Sequence, residues 1–151
     1  MNPGEELRYL ILAVQREGNR QLTDLLRDLK LTPSQAEVLL VLQQCQPITL
    51  TELGERLVCE TGSPSRLVKS MVESGWVEKL PSPRDGRAIQ LRLTSTAEAV
   101  LPVLNQIDQQ FNARIAASFD SEALRTVLDH LWPLVVNTAG GAALLRRRDE
   151  L

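Results

Sequence analysis

Four cations in this chain have the spacing to hold a polyanion. Arg66 and Lys69 lie three apart in a stretch of helical period, and Arg84 and Arg87 flank Asp85 and Gly86 in a proline-rich loop. Guanidinium and ammonium groups presented this way pair with phosphate oxygens, so the chemistry is recognition, with no bond made or broken. Ser63 and Ser65 stand just before Arg66, and their short hydroxyls reach phosphates or base edges without steric bulk. All these residues fall between 61 and 95, where six basic and three acidic side chains give a net charge of +3 in a chain of total charge −2. A local basic patch counts for more than the overall balance when the partner is anionic. Read on charge alone, the same segment is equally well a solvated face.

Catalysis and metal binding find little support. There is no nucleotide-binding glycine loop and no nucleophile with a paired histidine, so an enzyme is not expected. His130 is the single histidine and has no further ligands at metal spacing; no metal and no cofactor are expected. Cys45 and Cys59 are too few for a disulfide framework and fit a reducing compartment. Cys59 lies just before the Arg66 stretch, so thiol oxidation could shift that segment; a thiol-based redox sensor is one alternative, and small buried side chains are the blander one. No run approaches the ~18 apolar residues of a membrane helix, and the start "MNPGEELRYL" is acidic where a secretory signal is basic. A cytoplasmic protein is expected, with no membrane association.

The elements that must position the cations are mostly helices. Leu7, Leu10, Ile11 and Val14 follow the i, i+3, i+4, i+7 rule, which Leu22, Leu25, Leu26 and Leu29 extend; this predicts one long helix, or two with a break near Gly18. In "LTPSQAEVLLVLQQ", Thr32, Pro33 and Gln35 form a helix start, and the apolar run 38–42 predicts a buried central helix. "ITLTELGERL" repeats the device with Thr49 and Glu52, with Leu50, Leu53 and Leu57 facing inward. In "VCETGSPSRLVKSMVESG", either Thr61 or Ser63 caps the next helix; Leu67, Val68, Met71 and Val72 share one side and Arg66, Lys69, Ser70 and Glu73 the other, with Gly75 as the stop. "WVEKL" and "AIQLRL" then alternate as half-buried strands about the tip "PSPRDGR". Thr94 or Ser95 caps a helix with the stripe Val100, Leu104, Ile107, Phe111 and Ile115, which Pro102 should bend. Asp120 caps another carrying Leu124, Val127, Leu128, Leu131 and Val135, which Pro133 should kink or end. The tail 137–151 has breakers followed by a weak amphipathic piece and should be the least well fixed part.

Two helices joined by a short turn, the second with a polar face, make a helix-turn-helix, and the following hairpin makes it winged. The fold class expected is therefore mainly α: a winged helix-turn-helix over 31–94, with a helical region from 1–30 and 95–136, and a C-terminal tail. The second helix fits a DNA major groove, and the hairpin tip lies over the adjacent backbone or minor groove. The end helices carry more apolar surface than so small a core can cover, which predicts a two-fold homodimer through Leu7, Leu10, Ile11, Val14, Phe111, Ile115, Leu124, Leu128, Leu131 and Val135. A winged helix that binds protein in place of DNA is the other reading of the same elements.

The segments "LTPSQAEVLLVL", "ITLTELGERL", "SRLVKSMVESGWVEKLPSPRDGRAIQLRLT" and "FDSEAL" resemble the MarR family of transcriptional regulators over roughly residues 7–136. The most specific part is the D-x-R of the wing followed by a strand ending Leu-Thr, here Asp85, Arg87, Leu93 and Thr94. The resemblance implies that Arg87 is a wing-tip minor-groove residue, that Asp85 braces the loop (a structural salt bridge being its favoured role), and that Ser63, Ser65, Arg66 and Lys69 lie on or beside the recognition helix. It also implies a homodimeric repressor on a pseudo-palindromic operator, released by a small, often phenolic, effector bound between the dimer and DNA-binding regions. Ala97 stands where the family commonly has glycine, and the tail after Val136 falls outside the resemblance.

Overall fold

The computed structural model describes residues 1–59 and 62–149; Thr61, one of the two candidate caps, lies outside them. Its centre is α2 (Pro33–Cys45). The predicted capping box starts it: the Gln35 amide donates to Thr32 Oγ1 at 3.2 Å, and the Thr32 amide donates to Gln35 Oε1 at 2.9 Å. Val38, Leu39, Val41 and Leu42 are buried, as an apolar run on a central helix requires. Leu26, Leu53, Met71, Leu91 and Leu104 close around it, each from a different element. Truncating one of these leaves a cavity that close-packed neighbours fill only in part. Leu42→Ala is expected to lower the unfolding free energy by about 2–5 kcal/mol. The measurement is the urea midpoint at fixed protein concentration, with the slope unchanged.

Before α2 runs α1 (Pro3–Leu26), a single helix without a break at Gly18. One glycine costs a helix only about 1 kcal/mol, so the ladder continues through it. Only Leu26, at its end, is buried.

After α2 come β1 (Ile48–Thr49), α3 (Leu50–Gly54), α4 (Pro64–Glu73), β2 (Val77–Pro81) and β3 (Ile89–Leu93). The strands form an antiparallel sheet in the order β1-β3-β2. β2 and β3 are the predicted hairpin, in register from Val77↔Leu93 to Pro81↔Ile89. β1 was not expected; it is two residues pairing Ile48 with Leu91 and Thr49 with Gln90. The predicted Thr49–Glu52 box caps α3, with the Glu52 amide 3.2 Å from Thr49 Oγ1 and the Thr49 amide 2.7 Å from Glu52 Oε2. Leu53 and Leu57 face inward, but Leu50 does not: it is 36% exposed, because α3 is too short to turn its first residue under the core.

Three helices complete the chain: α5 (Ser95–Ala116), α6 (Ser121–Val135) and α7 (Ala139–Asp149). Thr94, of the two candidates, caps α5; its Oγ1 accepts the Ala97 amide at 3.2 Å. Pro102 lies inside α5, which runs on without the amide bond that another residue would give to Glu98. Asp120 caps α6 as predicted, and that helix ends two residues after Pro133. The amphipathic piece expected in the tail is a helix, and it is packed where the least fixed part of the chain was expected. It forms α7, and its Gly141 is buried so tightly that a Cβ there would meet the Val135 carbonyl oxygen at 2.0 Å. The glycines read as breakers allow a close approach of backbone to backbone. Among the described residues, no helix is long and apolar enough to cross a membrane.

Candidate nucleic-acid interface

α4 begins at Ser63, whose Oγ accepts the Arg66 amide at 3.4 Å and lies 2.8 Å from Ser65 Oγ. Ser63 is thus engaged in the cap, and Ser65 stands exposed on the first turn. Pro64 occupies the first position, where no amide is needed. Val68 and Met71 bury the inner face; Arg66 and Lys69 project from the outer one. Gly75, at φ +78°, ends the helix in the left-handed region, and the Trp76 amide closes the stop onto the Met71 carbonyl at 2.9 Å. Thr94 Oγ1 donates to the Gly75 carbonyl at 2.6 Å, tying the foot of the hairpin to the end of α4.

The hairpin tip is held by short polar bonds. The Ser82 amide donates to the Ala88 carbonyl at 2.8 Å, and the Ala88 amide to the Asp85 carbonyl at 2.9 Å. Asp85 Oδ1 accepts the Arg87 amide at 3.0 Å, so Asp85 braces the loop through the backbone instead of a salt bridge. The side chains of Arg84 and Arg87 are exposed. Several other arginines in the chain are neutralised: Arg20 by Glu17, Arg27 by Asp24, Arg92 by Glu78, Arg146 by Glu55 and Arg147 by Glu37. Among the described residues, no carboxylate pairs with Arg66, Lys69, Arg84 or Arg87.

Helix and wing meet at a concavity of about 340 Å³ lined by Leu50, Ser65, Arg66, Val68, Lys69, Lys79, Ile89 and Leu91. None of these lining residues is acidic. Lys79 adds a third cation there, and Leu50 and Ile89 supply exposed apolar surface; sequence reasoning assigned none of the three to the site. The signal for Lys79 was its place on the hairpin strand leading to the basic tip.

A family model described as the MarR family matches residues 31–89, from just before α2 to the first residue of β3. The multiple antibiotic resistance protein MarR of Escherichia coli is 29% identical over 122 residues, 80% of this chain and 85% of that protein. MarR of Salmonella typhimurium is 31% identical over 100 residues, 66% of this chain and 69% of that protein. The chain belongs to the MarR family. A mutant E. coli MarR crystallised with operator DNA superimposes with a TM-score of 0.76 at 27% identity, covering 86% of this chain and 94% of that one. The MarR family is one of transcription regulators, not enzymes, and the winged helix-turn-helix of this member is its DNA-binding fold.

The remaining candidate residues of this MarR-family protein lie away from the wing. Leu7, Leu10, Ile11 and Val14 form an exposed stripe on α1, with Leu10 58% and Val14 64% accessible. On α5, Phe111 is half-buried beside Gly18 and Ile115 is exposed. α6 buries no residue: Leu124 and Leu131 are half-buried, and Leu128 and Val135 are open. Tyr9, Leu12, Phe119, Leu134 and Val136 are further exposed apolar residues that were not among those predicted.

A crevice of about 590 Å³ lies between α1 and α5, lined mainly by apolar surface that includes Val14, Leu22, Phe111 and Ile115, with Pro33 and Cys59 at its DNA-binding side. Cys45 and Cys59 are not joined in a disulfide. Although the Cys59 residue keeps open surface, burial of its thiol, followed by the Glu37 carboxylate beside it, pushes its pKa up to about 11. A thiol so held carries little thiolate at neutral pH, which weakens the redox reading. His130 hydrogen-bonds the Thr126 carbonyl through Nδ1 at 2.7 Å, and no metal-binding cluster occurs among the described residues.

Proposed function

We propose that this regulator acts as a cytoplasmic homodimer that reads a pseudo-palindromic operator and represses by occupancy. The carrying observation is the set of unpaired cations, Arg66, Lys69, Arg84 and Arg87, on one helix and the hairpin tied to its end. Charges left without protein partners on an otherwise acidic chain are complementary to a polyanion, and an acidic protein partner would have to match both groove and tip. In this reading Arg66 and Ser65 face base edges, Lys69 and Lys79 face phosphates, and the tip arginines reach the adjacent minor groove. The exposed stripes of α1, α5 and α6 clasp the second copy, so that two α4 helices meet half-sites about one helical turn apart.

The crevice between α1 and α5 takes the effector. Its lining suits a small aromatic or phenolic molecule, which changes DNA affinity only by binding the two spacings of the reading heads unequally. The test is selection of duplexes from a random-sequence pool, followed by titration of the selected duplex with a panel of phenols. Expected are a palindromic consensus and at least one phenol that weakens binding. Leu22 lines the crevice but lies outside the dimer stripes, so Leu22→Ala should lose that response while still binding DNA. Selection without enrichment at low salt would overturn the DNA reading; a panel without effect would overturn the effector.

A further inference from the structure

One carboxylate is buried with no role in the reading surface. Glu37 of α2 is 6% exposed, and its two oxygens accept two consecutive backbone amides from the connection between α3 and α4: Val58 at 2.9 Å and Cys59 at 2.7 Å. These amides lie just upstream of Ser63, the cap of the recognition helix. Ser34 Oγ, on the same turn of α2, donates to the Cys59 carbonyl at 3.4 Å. A buried carboxylate held by two amides is held more firmly when a counter-charge also pairs with it. The counter-charge comes from the far end of the chain. Arg147 of α7 donates to Glu37 Oε1 at 2.8 Å, and the neighbouring Arg146 pairs with Glu55 at 3.4 Å, at the end of α3. α7 is itself fixed, by the tight Gly141 corner and by the buried Ala143.

We propose that the C-terminal helix α7 is a positioning element for the recognition helix, with Arg147 acting through Glu37 on the amides of Val58 and Cys59. Neither arginine touches the reading surface. Without the guanidinium, the Glu37 carboxylate is left buried without its counter-charge, and its hold on the two amides loosens. The connection between α3 and α4 then samples more conformations, and α4 meets the groove in more than one orientation. Contacts that specify bases suffer, while contacts to phosphate are largely kept. The consequence for DNA rests on the reading given above; the consequence for the amides does not.

The experiment compares the wild type with Arg147→Ala, Arg147→Lys, Glu37→Gln and the double variant Glu37→Gln/Arg147→Ala. The first readout is amide hydrogen exchange at Val58 and Cys59 in the free protein. The second is affinity, against salt, for a duplex selected by the wild type and for a scrambled one. Arg147→Ala should speed both amides by about tenfold, the scale of one hydrogen bond to a charged group. It should narrow the gap between selected and scrambled duplex by a similar factor without changing the salt slope. Arg147→Lys should restore much of both, and Arg147→Ala should add little in the Glu37→Gln background, because the two act as one unit. If Arg147→Ala does not fold, the same comparison is made with Glu37→Gln, which removes the charged acceptor of both amides, and unchanged exchange at Val58 and Cys59 there would contradict the inference. Unchanged exchange in Arg147→Ala overturns it. So does a lower salt slope on both duplexes, which would make Arg147 a phosphate contact. Altered exchange with no DNA preference in any variant, the wild type included, would leave the brace standing and remove the DNA reading instead.

Discussion

On the proposed dimer interface, Leu10→Glu is expected to yield a folded monomer that no longer holds a palindromic duplex tightly. Leu10 is more than half exposed in the single chain, and α1 buries only Leu26, so the substitution leaves the core untouched. In a two-fold interface every contact occurs twice, and each copy of the carboxylate would be carried into apolar surface made by Leu7, Ile11 and Val14 and their mates. Losing one buried leucine side chain forfeits about 1.5–3 kcal/mol, and burying an unpaired charge costs several more. Two copies of that penalty raise the dimer dissociation constant by at least about a thousandfold. DNA affinity falls with it, because two linked reading heads gain from effective concentration what a single head lacks. Sedimentation across a dilution series reads the first effect, titration of the selected duplex the second, and circular dichroism confirms that helix content is retained. A Leu10→Glu protein that stays dimeric at wild-type concentrations places the interface elsewhere.

The second large effect is at the wing. Arg87→Ala is expected to weaken binding to every duplex and to flatten its salt dependence. The guanidinium is exposed and has no carboxylate partner among the described residues, while the backbone beneath it is fixed by Asp85 Oδ1 and by the Ser82–Ala88 bond. A cation held on a braced loop needs little further ordering to reach a phosphate-lined groove. A dimer presents two copies, so the log–log salt slope should drop by about two, at roughly 0.9 per phosphate neutralised. Arg66→Ala is the contrast. Its position on the outer face of α4 makes it a base-edge candidate, so its loss should change which duplexes are preferred, at about 1–3 kcal/mol per base-pair contact. Both variants are measured on the selected and scrambled duplexes at several salt concentrations. Equal losses on all sequences for both would remove the division of labour between helix and wing.

The helix starts were legible because each is a local device. Thr32 with Gln35, Thr49 with Glu52, and Asp120 act within four residues of themselves, so sequence spacing alone fixes the bond. The change of period from helix to alternation, with a proline- and glycine-rich tip, placed the hairpin for the same reason. Where two hydroxyls competed, at Thr94 and Ser95, local rules did not choose. Thr94 prevails because its Oγ1 also reaches the Gly75 carbonyl, a partner 19 residues away in the chain.

The sequence by itself determined the order of elements, the central place of α2, and the basic character of α4 and the wing, since each follows from neighbours a few residues apart. Only the tertiary structure decided what depends on distant segments meeting. It paired Ile48 with Leu91, turned Leu50 and Ile89 outward beside Lys79, and folded the tail back so that Arg147 answers the buried charge of Glu37. No periodicity encodes a contact between residues 110 positions apart; it exists because the packing of α7 brings a cation to the buried carboxylate.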